Sequence, residues 1–457
     1  MASTWVPEEF LRKCPKTDLH VHLDGSLRLE TLIELAQADG VELPAYTAAG
    51  LREKVFREHY VDLPEYLQGF IYTVGVMQKA ENIERIAYEF GEDNYNEGVR
   101  YFEVRFAPQL FANVDTGPSR LSIRDTILAV NRGLSRAKDK FNRELKDLEG
   151  IEIDDSSVAP PYDYGIIVCA MRSFPPTPYY NAFVALHEGM DTQRCYGLAS
   201  EVLASIAVQV RDEGVPVVAI DVAGEEKGFP NKAHRKAFDI AHENFLYKTV
   251  HAGEGFGPES IGQAINELHA DRIGHGFHLF SVDLIEGEHD EKKRIEYVRK
   301  LVKVVCDRRM AVEVCLTSNL GTGIVKRLED HAMLKMLRHG VGVTINTDNR
   351  LVSDTNMSIE LMKAVQAFKL SPKQLREIVI NGFKRSFFSG PYSKKRKFIR
   401  AAMDYYDRLA REYNLDTLYA QWCADNGIEQ VPTSPSARDR IDSVFSETDE
   451  HFTQRER

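Results

Sequence analysis

Short apolar runs recur along the chain, each followed by a longer stretch with helical spacing. The runs occupy 17–23, 99–106, 164–171, 215–222, 247–251, 272–276, 310–316 and 341–346. They are rich in Val, Ile, Phe and Cys, and nearly continuous rather than alternating. Strands read this way when both faces are covered, as in a parallel sheet. Residues 82–96, 123–143, 196–213, 231–243 and 258–268 carry helical patterns between the runs. Eight strand–helix alternations predict an α/β fold, a (β/α)8 TIM-type barrel. A doubly wound open sheet is the rival.

Three segments exceed what the alternation needs. Residues 38–70 carry helices of their own and are placed to cap a barrel mouth. Residues 138–160 and 282–300 are charged and read as solvated insertions. Helical patterning continues over 370–419, which predicts a helical C-terminal extension. The expected organisation is one catalytic domain over 1–430 and a polar tail over 431–457.

Hydrophobic residues make up 43% and charged residues 28%, which fits a globular chain and excludes wholesale disorder. Lys+Arg is 58 and Asp+Glu is 69, so the net charge is 58 − 69 = −11. A phosphate-coating protein needs a basic patch, so nucleic acid is not an expected partner. No apolar window reaches the ~18 residues of a membrane span, and the first residues lack an apolar leader. The six cysteines show no CxxC spacing, which suits a reducing compartment. A cytoplasmic location with no membrane partner is expected; the oligomeric state is open.

The run ends carry the chemistry. They hold His20 and His22, then Asp221, Gly224 and Glu225, then His251 and Glu254. His275 and His278, then Thr317, Ser318 and Asn319, then Thr347, Asp348 and Asn349 follow. In a parallel barrel the C-terminal strand ends converge on one mouth, where active sites form. His20 and His22, two apart on a strand, share a face. Three imidazoles (His20, His22, His251) and the Asp348 carboxylate are a plausible Zn²⁺ set with a position left for water. No cysteine falls at a proposed ligand position, so the centre is expected to be independent of thiols. Glu254 is placed as a proton donor or acceptor, and His275 to hydrogen-bond an attacking water. Taken alone, each reads equally well as a turn carboxylate or a core histidine.

TDLHVHLDGS at 17–26, DVAGE at 221–225, HAGE at 251–254, RIGHGFH at 272–278 and NTDN at 346–349 occur in that order. Together they resemble the motif set of the adenosine deaminase family, in the metal-dependent amidohydrolase superfamily. The resemblance implies a barrel with one zinc per chain, held by His20, His22, His251 and Asp348. It implies that Glu254 protonates purine N1 and that His275 positions and helps deprotonate the attacking water. It further places Gly224 at N3 and Asp24 near the ribose 5′-hydroxyl; His22 also borders the substrate, and Asp348 counts among the catalytic groups. The implied reaction is hydrolytic deamination of adenosine, with 2′-deoxyadenosine as a further substrate, to inosine and ammonia. The implied partner is thus a small purine nucleoside.

Many members carry a second aspartate where this chain has Asn349. That carboxyl meets purine N7 and must present a proton, whereas an amide always has N–H donors. Asn349 is therefore expected to donate to N7 without needing protonation. The alternative substrate is another 6-aminopurine compound, such as aminodeoxyfutalosine or adenine. A two-metal site with a bridging lysine is disfavoured, because DVAG at 221–224 closes the fourth run and Lys227 falls later. A nucleic-acid deaminase would carry HxE…PCxxC, which is absent.

Overall fold

The computed structural model describes residues 4–61, 63–113, 120–149 and 159–428. The expected tail at 431–457, and residues 150–158 of the segment 138–160, lie outside the described residues.

Eight parallel strands form one sheet in sequence order. They are β1 (Lys16–His22), β2 (Val99–Phe106), β3 (Asp163–Met171), β4 (Val217–Ala223), β5 (Tyr247–Ala252), β6 (Arg272–His275), β7 (Ala311–Val314) and β8 (Gly342–Ile345). Each falls on one of the eight apolar runs, and their consecutive order with a bridge from β1 to the end of β8 makes a barrel and not an open sheet. Consecutive order with parallel pairing needs a crossover between neighbours, and helices supply it. The expected helices appear within Ala80–Asn96, Ile123–Glu149, Thr192–Asp212, Arg235–Glu243 and Pro258–Asn266. Past β8 come Met357–Phe368, Pro372–Arg385, Tyr392–Glu412 and Leu415–Asn426, the helical extension. Among the described residues no helix is long and apolar enough to cross a membrane.

The seam between β8 and β1 closes the barrel in an unusual way. Two backbone bonds join β1 to the residue at the end of the seam: His22 N–H to the Asp348 carbonyl (2.7 Å) and Asp348 N–H to the His20 carbonyl (2.8 Å). Below them, side chains replace the ladder. Asn346 Oδ1 accepts from Leu19 N–H (2.9 Å), and the Asp18 carboxylate accepts from Thr347 N–H (3.3 Å) and its hydroxyl. Buried backbone donors need partners, so these short polar residues do the work of strand pairing. The same two backbone bonds hold three site residues in adjacent register.

The helix Pro372–Arg385 covers β1 and β8 from outside. It starts at a capping box, with the Ser371 hydroxyl and Gln374 side chain answering each other's backbone N–H, and with proline in its first turn. Gly382 lets it approach β1: a Cβ there would stand 1.8 Å from Thr17 Oγ1. Gly382→Ala is expected to destabilise the protein by ~1–3 kcal/mol through overpacking. Denaturant titration checks this; an unchanged midpoint would mean that the helix can shift freely.

Candidate active site

His20 and His22 end β1, His251 lies near the end of β5, and Asp348 follows β8. The fold brings one ligand atom from each to within 4.8 Å of all the others. His22 Nε2 and His251 Nε2 are 3.2 Å apart. Asp348 Oδ1 stands 3.4 Å from both His20 Nε2 and His22 Nε2. Donors bound tetrahedrally at ~2.0–2.1 Å from one ion stand ~3.3 Å apart, so these separations fit a small cation.

The outer nitrogens say the same. His20 Nδ1 lies 2.7 Å from Glu313 Oε2, and His251 Nδ1 lies 2.9 Å from Asp221 Oδ2. The hydrogen bond to Glu313 keeps the His20 proton on Nδ1 and leaves a lone pair on Nε2, the arrangement of metal-ligating histidines, and the nearby Asp221 carboxylate favours the same tautomer of His251. His20 Nε2 is buried and has no hydrogen-bond partner. A buried unpartnered nitrogen beside a carboxylate is costly unless something positive joins them. On these observations the four residues could hold a zinc-like cation.

Asp348 and His275 both adopt positive φ (60° each). Such backbone persists in residues with a Cβ only where the surroundings over-determine it. For Asp348 the surroundings are the seam bonds to His20 and His22.

Three carboxylates and two arginines buttress the candidate ligands from within the barrel. Arg105 donates to Asp221 (2.8 Å) and to Glu313 (2.9 Å), so one guanidinium joins the outer partners of His20 and His251. Arg272 donates to Glu313 (2.6 Å) and to Glu103. All five side chains are buried. Sequence reasoning missed Glu103, Arg105 and Glu313. Their signal was present: charges inside otherwise apolar, doubly covered runs have to find one another. Glu313→Gln is expected to weaken zinc binding ~10–100-fold, read by competition with a chelator. Wild-type affinity in that variant would remove Glu313 from any role at the metal.

Glu254 and His275 face this centre, with Glu254 Oε2 3.6 Å from His275 Nε2. Burial first, then Asp348 and Glu226, push the Glu254 carboxyl up to about 8. Four successive N–H groups, from Gly253 to Phe256, donate to the Glu226 carboxylate at 2.8–3.1 Å, and the Ser260 hydroxyl adds a fifth bond. Glu226 therefore fixes the turn that carries Glu254. The motif reading stopped one residue short, at Glu225, which is exposed.

Asp24 is buried next to the centre, with Oδ1 unpartnered. Burial, with a smaller push from Asp348, raises its carboxyl to about 7. Gly224 has φ +102°, which favours glycine. Its neighbour in space, Arg172, is buried and donates to the His251 carbonyl (2.6 Å).

Asn349 is buried, with its amide nitrogen donating to the Tyr66 hydroxyl (2.9 Å) and its oxygen unpartnered. Tyr66 also meets Ser353 Oγ (2.9 Å), and Tyr60 donates to the Val352 carbonyl (3.1 Å), so the segment 38–70 reaches the mouth through two tyrosines. Nothing local in the sequence singles out Tyr66, because the contact spans 283 residues. A thiol does stand at one strand end, outside the set of His20, His22, His251 and Asp348. Cys315, directly after β7, offers its sulfur within 4.8 Å of ligand atoms of His20 and His275. The apolar look of the run 310–316 concealed it.

Convergent histidines and a carboxylate at the C-terminal mouth of a (β/α)8 barrel define the metal-dependent hydrolase class. The adenosine deaminase family profile matches residues 15–153 and 190–404. An adenosine deaminase of Mycolicibacterium vanbaalenii is 36% identical over 382 residues, covering 83% of this chain and 92% of that protein. An adenine deaminase of Arthrobacter aurescens superposes with a TM-score of 0.62 at 19% identity, over 90% of this chain and 99% of that one. An amidohydrolase from Burkhoderia ambifaria with bound Zn gives 0.66 at 20% identity, over 90% of this chain and 94% of that one. The chain belongs to the adenosine deaminase family. It is a hydrolytic deaminase of that family.

Proposed function

We propose that the chain hydrolyses adenosine, and 2′-deoxyadenosine, to inosine and ammonia with one zinc ion per chain in the cytoplasm. The observation that carries this is the facing of Glu254 and His275 onto the His20, His22, His251 and Asp348 cluster. Zinc held by those four residues supplies Lewis-acid activation of water at neutral pH. Everything else falls to the chain's own groups. The buried Glu254 carboxyl, protonated below about 8, delivers a proton to purine N1. That proton neutralises the charge that develops on the ring as water adds at C6. His275 meets the attacking oxygen, and Asp348 stands beside it both as ligand and as catalytic carboxylate. Gly224, free of a side chain, offers its N–H to N3. Asp24 meets the 5′-hydroxyl; with its carboxyl raised to about 7 it can donate as well as accept. His22 lines the same cavity.

Asn349 reads N7 when its amide is turned so that Oδ1 accepts from the Tyr66 hydroxyl and the NH₂ faces the substrate. The two amide orientations have the same shape, so substrate decides between them. Asn349→Asp is expected to make turnover fall as pH rises, because a carboxylate donates only when protonated. An unchanged pH profile would exclude donation to N7.

Ammonia release from adenosine, 2′-deoxyadenosine, adenine, AMP and aminodeoxyfutalosine tests the substrate. The expected order puts the two nucleosides first. Preference for adenine or aminodeoxyfutalosine would move the chain to another 6-aminopurine substrate, and no release from any of them would sink the reading.

A further inference from the structure

Hydrogen bonds behind His275 fix where its proton sits. The chain of bonds begins at a group with no ambiguity: the Met333 backbone N–H donates to His331 Nδ1 at 3.0 Å. A backbone N–H is only ever a donor, so His331 Nδ1 carries a lone pair. That excludes an imidazolium and places the His331 proton on Nε2. His331 Nε2 faces Asn319 Oδ1 at 3.1 Å, so this N–H donates to the amide oxygen. The amide orientation follows: its oxygen points to His331 and its NH₂ to His275 Nδ1, 3.3 Å away. An amide NH₂ cannot accept, so His275 Nδ1 also carries a lone pair. His275 is then a neutral ring with its proton on Nε2, the nitrogen that faces Glu254 and the centre. All three side chains in this series are buried, so no bulk water competes for the bonds.

We propose that Asn319 and His331 are positioning residues that hold His275 as its Nε2–H tautomer. His275 therefore meets the reacting oxygen as a hydrogen-bond donor and not as a proton acceptor. This use of the tautomer rests on the deaminase reading; the tautomer itself does not. One correction follows for the role that the resemblance implied, since a ring already protonated on Nε2 cannot take water's proton there. Glu254 remains as acceptor. Once it has given its proton to N1, its carboxylate takes the proton that the attacking water loses as oxygen bonds to C6. A second consequence concerns the metal. With Nδ1 occupied by the Asn319 amide and Nε2 protonated, His275 has no free lone pair. The alternative group of His20, His275 and Cys315 thus cannot act as a three-residue ligand set.

The test needs no substrate. Long-range ¹⁵N–¹H correlation spectra of the zinc-loaded, histidine-labelled chain report which ring nitrogen bears each proton. His275 signals are assigned by their loss in His275→Gln. The expected result is a proton on Nε2 of both His275 and His331; a proton on Nδ1 of His275 overturns the proposal. Asn319→Asp inverts the relay, because a carboxylate accepts from both rings and draws the His275 proton to Nδ1. In that variant the expected outcome is a kcat lower by ~10²–10³-fold, the scale for losing one donor to a developing oxyanion. KM and zinc content stay near wild type. An unchanged kcat with the proton moved to Nδ1 would overturn the donor role. Absence of deaminase activity in the wild type would sink the proposed function and leave the tautomer standing.

Discussion

Glu254→Gln is expected to lower kcat by ~10²–10⁴-fold with zinc content unchanged. Glutamine has nearly the same shape and still offers N–H groups, so substrate binding survives. What it lacks is a proton that can be given to the ring and taken back. The carboxyl is suited to the exchange because burial, reinforced by Asp348 and Glu226, raises it to about 8. Its protonated form prevails below that value, so wild-type turnover declines as pH rises through it. A cation at the neighbouring centre favours the carboxylate and moves that decline to lower pH. The decline should vanish in Glu254→Gln, leaving a low, flat profile. A variant within tenfold of wild type would remove Glu254 from proton transfer. Steady-state kinetics across pH, paired with metal analysis, separates these outcomes.

The second large effect is expected at the ligands. Asp348→Asn keeps the side chain's size and the seam's backbone bonds but removes the only anionic ligand. His20→Ala removes an imidazole whose Nε2 is otherwise unpartnered. Either should weaken zinc binding by more than the ~10–100-fold expected for an outer partner such as Glu313. Activity should fall with occupancy, and added zinc should restore it in part for Asp348→Asn. Retention of tightly bound zinc in both variants would contradict the ligand set. Asp348→Asn is the more informative of the two, because the positive φ at this position is better tolerated by asparagine than by most residues.

The strands were legible because a parallel barrel buries both of their faces, which turns even a four-residue strand such as β8 into a largely apolar run. The cluster of His20, His22, His251 and Asp348 was legible for the complementary reason: at the ends of such runs a histidine or carboxylate stands out. Groups one step back from this cluster were harder. Glu313, Arg105 and Glu103 lie inside strands, and their partners are set by which strands become neighbours. Glu226 sits beside an exposed Glu225, and only the turn's four N–H groups distinguish them. Tyr66, on the short helix Leu63–Gln68, and His331, in the loop after Leu328–Asp330, reach the site along paths that the pattern does not encode. The tautomer of His275 depends on such a residue.

Zinc titration of the metal-free chain, with adenosine turnover followed at each addition, tests the one-metal deaminase most directly. Activity should be absent at the start, rise in proportion to added zinc and level off at one ion per chain. Full turnover without metal, or a plateau only at two ions per chain, would contradict it.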